Sequence, residues 1–261
     1  MLGAISGDVI GSVYEFQNTK DPNFQPLFHD DARPTDDTVL TCSVAEWILR
    51  GAGDDLPDLL KSWFRQFPQA GYGGSFAKWA GSINFSPYNS WGNGSAMRVS
   101  PVGYAFNSLD DVLKHARRSA EVTHNHPEGI KGAQATAACI FLARIRHSKA
   151  EIRAYVEKEF GYDLSRTLDE IRPTYEFDVS CQGTVPQAIT AFLEATDYES
   201  TIRLGISLGG DSDTLAGIAG GIAAAAYGGV PTAIRTEVEA RLAPAMRTIL
   251  AEFLSRYPSG G

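Results

Sequence analysis

The sequence is poor in the residues that build disulfide frameworks and zinc sites. It contains three cysteines, Cys42, Cys139 and Cys181, which lie far apart, and five histidines. No CxxC pair and no Cys/His cluster occurs, which argues against a disulfide framework and against a zinc site. We therefore expect reduced thiols in a cytoplasmic protein.

Long apolar runs and an excess of positive charge are also missing. The longest apolar run, residues 215–230, is too short and too rich in glycine to span a bilayer. The N-terminal stretch MLGAISGDVIGS lacks a basic region, so we expect no signal peptide. A net charge of −8 disfavours nonspecific binding to nucleic-acid phosphates. The sequence predicts a monomer with neither a membrane nor a nucleic acid as partner.

Helical patterns dominate what is present. They cover roughly 60% of the chain, and the strict alternation typical of strands is hard to find. Two regions do not fit a helix: the polar loop at residues 16–34, and residues 68–95, which are rich in Gly, aromatics, Ser and Asn. Loops of this length are usually functional. We predict a single all-α domain over residues 1–261, with about a dozen helices.

Two short motifs place carboxylates and hydroxyls at the start of apolar helices. The first is Thr35-Asp36-Asp37-Thr38, and the second is Asp211-Ser212-Asp213-Thr214. Helix capping explains one such oxygen at each place and is the alternative interpretation. Two clusters of hard oxygen ligands favour Mg²⁺ or Mn²⁺.

A third acidic pair lies near the N-terminus. Asp8 and Glu15 are seven residues apart, which predicts that they lie on nearly one face of a helix, bordered by Gly7 and Gly11. An ordinary solvent-facing stripe is the alternative.

The stretch YNSWGNGSAMRVSPVG offers a glycine-rich loop before a helix that begins near Ser95. The backbone N–H groups of residues 92–94 could hold a phosphate there, although a flexible turn is the alternative. Neither a Walker A motif nor GxGxxG occurs, so the common nucleotide fingerprints are absent. Nearby aromatic side chains could stack on an adenine or belong to the core. In THNHPEG, His124 could bond a ligand sugar, or form a structural pair with His126.

Four motifs now stand in one order: GDxxGxxxE, TDDT, GNGxAMR and GGDSDTLA. Together they resemble the ADP-ribosylglycohydrolase family, the DraG and ARH-type hydrolases, and the match looks closest to short bacterial members. The resemblance runs from Gly3 to about Pro231. It implies a single-domain orthogonal helical bundle with a metal cleft between helices, and two Mg²⁺ ions as cofactors, with Mn²⁺ as an alternative.

The resemblance also implies roles for individual residues. One ion would be held by Thr35, Asp36 and Asp37, the other by Asp211 and Thr214, with Asp213 bridging both. The catalytic residues would be Glu15, Asp36 and Asp213, with Glu15 beside the scissile bond. In the substrate site, Phe85 and Trp91 would stack on adenine, the 89–94 loop would wrap the diphosphate, and His124 would contact ribose. The full substrate-binding set is Phe85, Asn89, Ser90, Trp91, Gly92, Asn93, Gly94, Ser95, Met97 and His124.

The implied reaction is hydrolysis of the glycosidic bond at C1″ of an ADP-ribosylated protein or small-molecule conjugate, with release of ADP-ribose. We expect an arginine linkage, because a guanidinium leaving group suits a cleft lined by carboxylates, with Asp30 and Asp31 adding to the field. Relatives with the same metal motifs act on serine-linked ADP-ribose or O-acetyl-ADP-ribose, so these stay alternatives. A non-catalytic ADP-ribose-binding module is the alternative from another class. A diphosphate hydrolase would usually show a Nudix-type Glu-rich helix, which is absent.

Overall fold

Helices and loops make up the whole described fold. The computed structural model describes residues 1–258, and no β-strand occurs among them. In chain order the helices are α1 (Leu2–Gly11), α2 (Asp36–Leu49), α3 (Leu56–Gln66), α4 (Gly74–Ala80), α5 (Gly94–Met97), α6 (Ser100–Ala105), α7 (Leu109–Glu121), α8 (Pro127–Arg144), α9 (Lys149–Phe160), α10 (Leu168–Ile171), α11 (Cys181–Glu194), α12 (Tyr198–Ile206), α13 (Ser212–Ala226), α14 (Thr232–Arg241) and α15 (Pro244–Arg256). The predicted all-α class is confirmed. Residues 259–261 of the predicted domain lie outside the described residues.

Local sequence signals explain where several helices begin and end. The Ser148 hydroxyl and the Glu151 carboxylate form a capping box at the start of α9, and Gly161 ends that helix with a φ of 66°. The Ser108 side chain accepts the backbone N–H of Asp111 at the start of α7. These boundaries follow the sequence closely because each rests on a contact within four residues.

The apolar helix α13 is buried along nearly its whole length and packs closely against α1. Three glycines of α1, four residues apart, allow this approach. A Cβ on Gly7 would lie 2.1 Å from the Ala216 carbonyl oxygen, and one on Gly11 would lie 2.6 Å from the Asp213 Cα. The two backbones are therefore in direct contact. This contact sets the N-terminal end of α13, which bears Asp213, beside the C-terminal end of α1.

One hydrophobic core continues from Met1, just before α1, to Phe253 in α15. All three cysteines are buried within it as free thiols. In residues 1–258 every helix is too short or too polar to cross a membrane.

Two predictions of local structure were wrong. Helix α1 ends at Gly11, so Asp8 and Glu15 do not share a helix face, and Glu15 lies in the turn that follows. The 68–95 segment contains α4, whose Phe76 and Trp79 are buried on one side. Because glycines flank this short apolar pattern, the sequence indicated a loop there and not a helix. The loop at residues 16–34 contains no helix, as predicted.

The contact between α1 and α13 predicts a steep cost for the smallest added side chain. We expect Gly7→Ala to lower the free energy of unfolding by about 1–3 kcal/mol, because the methyl group would meet rigid backbone. Urea denaturation measures this difference. Gly74→Ala is the matched control, since a Cβ there meets nothing within 4 Å. A Gly7→Ala protein as stable as the control would contradict the packing described.

Candidate active site

The N-terminal ends of α2 and α13 meet and bring the two acidic motifs together. The Thr214 hydroxyl of α13 donates a hydrogen bond to the Asp37 carboxylate of α2, with an O–O distance of 3.1 Å. Carboxylate oxygens of Glu15, Asp211 and Asp213 lie within 4.8 Å of one another. The structure thus gathers at one place acidic residues that are almost 200 positions apart in the chain.

Asp8 holds the N-terminal end of α2 in position at this meeting point. Its carboxylate is fully buried and accepts hydrogen bonds from the backbone N–H groups and the hydroxyls of both Thr35 and Thr38. The backbone bonds measure 3.0 Å from Thr35 and 3.1 Å from Thr38. Asp8 therefore fixes the first turn of α2 and the direction in which Asp36 and Asp37 point. Sequence reasoning placed Asp8 in an acidic pair but did not include it among the site residues.

Thr35 occupies a buried position in this arrangement. Its hydroxyl donates to Asp8 at 2.7 Å and accepts the backbone N–H of Asp37 at 3.2 Å. It caps α2, and it does not line the neighbouring cavity. Its predicted role as a metal ligand stays a prediction.

Burial and mutual repulsion raise the pKa values of the clustered carboxyl groups. Burial is the larger cause, and repulsion by neighbouring carboxylates is the second. Together they raise the pKa of Glu15 from 4.5 to about 7 and the pKa of Asp36 from 3.8 to about 8. The pKa values of Asp37 and Asp213 lie well above their ordinary range for the same reasons. Within residues 1–258 no Lys or Arg forms an ion pair with any member of this cluster.

Carboxylates this crowded and this buried need a compensating charge. Their donor set consists of hard oxygens, with no imidazole or thiolate, so the residues present fit a divalent cation such as Mg²⁺ or Mn²⁺. The acidic cluster can therefore bind metal. A metal ion bound there would attract each carboxylate and so offset their mutual repulsion.

A cavity of about 430 Å³ opens beside the cluster. Glu15, Asp36, Asp37, Asp211 and Asp213 line one part of it, and the glycine-rich loop lines another. Asn93 joins the two parts, because its side-chain amide donates to the Asp211 carboxylate at 2.7 Å and to the Thr184 hydroxyl at 3.0 Å. The cavity thus has an acidic end for a metal and a second end built by residues 90–97.

Backbone hydrogen bonds occupy part of the predicted phosphate loop. The N–H of Asn93 donates to the Val179 carbonyl at 2.7 Å, and that of Gly92 donates to the Ser90 hydroxyl at 3.1 Å. These two groups are engaged within the protein, so they do not form the cradle expected from residues 92–94. An isolated bridge between Gly92 and Ser180, which sequence spacing did not indicate, occupies the Asn93 N–H, and a local turn occupies that of Gly92.

The predicted substrate-binding residues divide into two groups. Ser90, Gly92, Asn93, Gly94, Met97 and His124 line the cavity. Four others lie outside its lining: Phe85, Asn89, Trp91 and Ser95.

Contacts elsewhere hold all four, including Asn89, whose backbone N–H donates to the Asn125 side chain at 2.8 Å. Phe85 is half exposed and its ring lies 4.4 Å from Lys61 Nζ, while the Ser95 hydroxyl donates to the Gly129 carbonyl. Trp91 is 49% exposed, and its carbonyl accepts the Cys181 N–H. The stacking assigned to Phe85 and Trp91 stays a prediction.

Sequence reasoning missed several residues of the lining. Phe76 and Phe177 bring aromatic side chains to the cavity, and Arg98 is a buried cation beside them. Tyr88, one of the aromatics near the glycine-rich loop that the sequence offered for adenine stacking, lines the cavity too. The motif GNGxAMR contained the signal for Arg98, because an arginine at the end of a short buried helix requires a partner. The aromatic residues gave no comparable signal among the many in this region.

Comparisons with known proteins agree with this geometry. Residues 1–258 match the family model described as ADP-ribosylglycohydrolase. The chain belongs to the ADP-ribosylglycohydrolase family, and it is a hydrolase that acts on ADP-ribose linkages.

Individual relatives cover most of the chain. It is 29% identical to human ADP-ribosylhydrolase ARH3, over 87% of this chain and 84% of the relative. It is 26% identical to ADP-ribosylarginine hydrolase Tri1 of Pseudomonas putida, over 87% of this chain and 69% of the relative. A solved structure described as an ADP-ribosylglycohydrolase-related protein complex superposes with a TM-score of 0.69 at 25% identity, over 98% of this chain and 97% of that one.

The raised pKa values predict how the metal-free protein responds to pH. Glu15 and Asp36 bind protons more tightly in the folded protein than in the unfolded protein. Their contribution to stability is therefore present below about pH 4 and is lost as the pH rises through about 8. We expect the free energy of unfolding of the chelated protein to fall across this window, and Mg²⁺ to restore it at pH 8. Denaturant titrations with and without EDTA measure both effects.

Two variants control this experiment. Asp213→Asn removes one carboxylate, so we expect it to reduce the gain in stability on adding Mg²⁺, whereas Asp30→Asn, at an exposed loop position, should leave that gain unchanged. Equal stabilisation of wild type and Asp213→Asn by Mg²⁺ would contradict the assignment of the cluster as the metal site.

Proposed function

We propose that the protein hydrolyses the glycosidic bond at C1″ of ADP-ribosylated substrates and releases ADP-ribose. The observation that carries the proposal is the cavity in which five carboxylates lie at one end and residues 90–97 at the other. Two Mg²⁺ ions, for which Mn²⁺ can substitute, are the proposed cofactors. Asp36, Asp37, Asp211, Asp213 and Thr214 supply their ligands, together with Thr35 if its hydroxyl turns from Asp8.

When bound, the ions supply Lewis-acid polarisation of ribose and water oxygens. Glu15 holds or accepts a proton beside them; in the metal-free protein burial, and second the charges of Asp211 and Asp8, raise its pKa to about 7. Its proposed work is to polarise the attacking water or to protonate the leaving group. The side-chain amide of Asn93 holds the Asp211 carboxylate, so it fixes the acidic end of the cavity relative to the end built by residues 90–97. The ribose and diphosphate then extend toward His124 and the 90–97 end.

For the linkage, we propose arginine-bound ADP-ribose on proteins as the preferred substrate. Phe16, directly after Glu15, is 82% exposed, and its ring stacks on Phe177 at a centroid distance of 6.4 Å. Phe177 itself lines the cavity. Aromatic faces beside carboxylates suit a planar guanidinium, which supports the arginine linkage. Asp30 and Asp31 are exposed and lie outside the lining, so they add little to the local field.

Serine-linked ADP-ribose and O-acetyl-ADP-ribose form the second candidate group, because the metal motifs do not select the carrier. The human relative named ADP-ribosylhydrolase ARH3, a name that specifies no linkage, matches at 29% identity, and the relative named ADP-ribosylarginine hydrolase at 26%, so the names do not decide the carrier. The buried free thiols are compatible with a cytoplasmic location. That location and a monomeric state stay predictions.

Turnover tests the reaction itself. We expect release of ADP-ribose from ADP-ribosylated peptides to stop in EDTA and to return with Mg²⁺ or Mn²⁺. Glu15→Gln should lower kcat by about 100-fold or more while leaving ADP-ribose affinity nearly unchanged, because Glu15 acts in the chemical step. Full activity in exhaustively chelated protein would contradict the metal requirement. A near-normal kcat for Glu15→Gln would remove that residue from the mechanism.

The linkage is tested with two peptides that differ only in an arginine-linked or serine-linked ADP-ribose. We expect a higher kcat/KM for the arginine peptide. Phe177→Ala should reduce that value about 3–10-fold through loss of a cation–π contact and spare the serine peptide. Ile145→Ala, an exposed apolar position away from the cavity, serves as the control. Equal or better cleavage of the serine peptide by wild type would overturn the arginine preference.

A further inference from the structure

Arg98 is a fully buried cation at the end of α5 that lines the cavity. Its Nη2 donates to the Ser119 carbonyl and to the Thr123 hydroxyl, each at 2.8 Å. Its Nε and Nη1 have no hydrogen-bond partner in the described part of the chain, and no carboxylate pairs with it there. Burying an arginine with so few partners costs stability, which points to a function for its position.

The Thr123 hydroxyl links Arg98 to His124. Its Oγ1 lies 2.7 Å from His124 Nδ1. A guanidinium can only donate, so Oγ1 accepts from Arg98 and keeps its single hydrogen for another group. Besides Arg98, Oγ1 contacts His124 Nδ1 at 2.7 Å and the Tyr88 phenol, which can itself donate to a hydroxyl lone pair. We assign the single hydroxyl hydrogen to the short contact with Nδ1, and a neutral imidazole then carries its own hydrogen on Nε2.

The surroundings of His124 keep its ring neutral. Burial, and second the charge of Arg98, lower its pKa well below the ordinary value. Burial lowers the pKa of Arg98 only to about 10, so the guanidinium stays charged at neutral pH. The donor and acceptor roles in the chain thus hold throughout the neutral range.

The other ring nitrogen faces the glycine-rich loop. His124 Nε2 lies 3.1 Å from the position that a Cβ on Gly94 would take, and 3.7 Å from the corresponding position on Gly92. Nε2 has no hydrogen-bond partner among the described residues, and His124 lines the cavity. A side chain at Gly94 would crowd this nitrogen, whereas glycine leaves it open toward a ligand.

We propose that Arg98 and Thr123 are positioning residues that fix His124 in the Nε2–H tautomer and so make it a hydrogen-bond donor to an oxygen of ADP-ribose. The identity of the ligand rests on the proposed function, but the tautomer does not. The diphosphate oxygens of ADP-ribose only accept hydrogen bonds, and its ribose hydroxyls accept as well as donate, so a protonated Nε2 can bond either, whereas an unprotonated Nε2 would repel the diphosphate. The chain of Arg98, Thr123 and His124 thus supplies a hydrogen-bond donor to a cavity whose other end is lined by carboxylates.

The first test reads the tautomer directly by ¹⁵N NMR of the histidine side chains, with the His124 signal assigned by its loss in His124→Asn. We expect a protonated Nε2 and an unprotonated Nδ1 that shows the shift of an accepted hydrogen bond. Thr123→Ser should keep that shift and Thr123→Val should lose it. A protonated Nδ1 in the wild-type protein would overturn the inference, whatever the ligand is.

The second test measures binding and turnover in the same variants. Substitution of Arg98 can unfold the protein, so the Thr123 pair is used, with folding checked by circular dichroism. Thr123→Val should weaken ADP-ribose binding and raise KM roughly tenfold with kcat little changed, because the hydrogen bond holds ground state and transition state alike. Thr123→Ser should restore both values.

Unchanged affinity in Thr123→Val would overturn the positioning role. Failure of wild type to bind ADP-ribose would instead overturn the proposed function and the ligand assigned to His124.

Discussion

Repulsion among buried carboxylates is the constraint on which this structure depends. Asp37 and Asp213 belong to helices far apart in the chain, and packing holds them together in a place that solvent barely reaches. Groups of like charge at such range cannot all ionise without a cation. The fold nevertheless keeps them there, through backbone contact between α1 and α13. A bound divalent cation would relieve this repulsion, so the cluster can serve as a metal site.

The second layer of contacts converts a cluster of acids into a defined site. Asp8 takes four hydrogen bonds from two threonines and so sets the first turn of α2. Asn93 ties Asp211 to the loop at the other end of the cavity. Groups oriented in this way lose little freedom when a ligand arrives, which favours both affinity and catalysis. The same logic extends to Arg98 and Thr123, which act on the ligand only through His124.

The sequence was sufficient for features that depend on neighbouring residues. Carboxylates and hydroxyls at the start of apolar helices predicted the acidic cluster, and helical periodicity predicted the all-α class. It was insufficient where position depends on packing between distant segments. The end of α1 at Gly11, the bridge that occupies the Asn93 N–H, and the exposure of Phe85 and Trp91 all follow from tertiary contacts. The role of Asp8 became visible only once α2 was placed beside α1.

The central claim is that the meeting point of α2 and α13 binds divalent cations. Anomalous diffraction from crystals grown with Mn²⁺ tests it most directly, because manganese scatters where it binds and the protein light atoms hardly contribute. The account predicts two strong peaks among Asp36, Asp37, Asp211 and Asp213, and their loss in Asp213→Asn crystals grown in the same way. Saturating Mn²⁺ with peaks only at surface carboxylates, and none within the cluster, would contradict it.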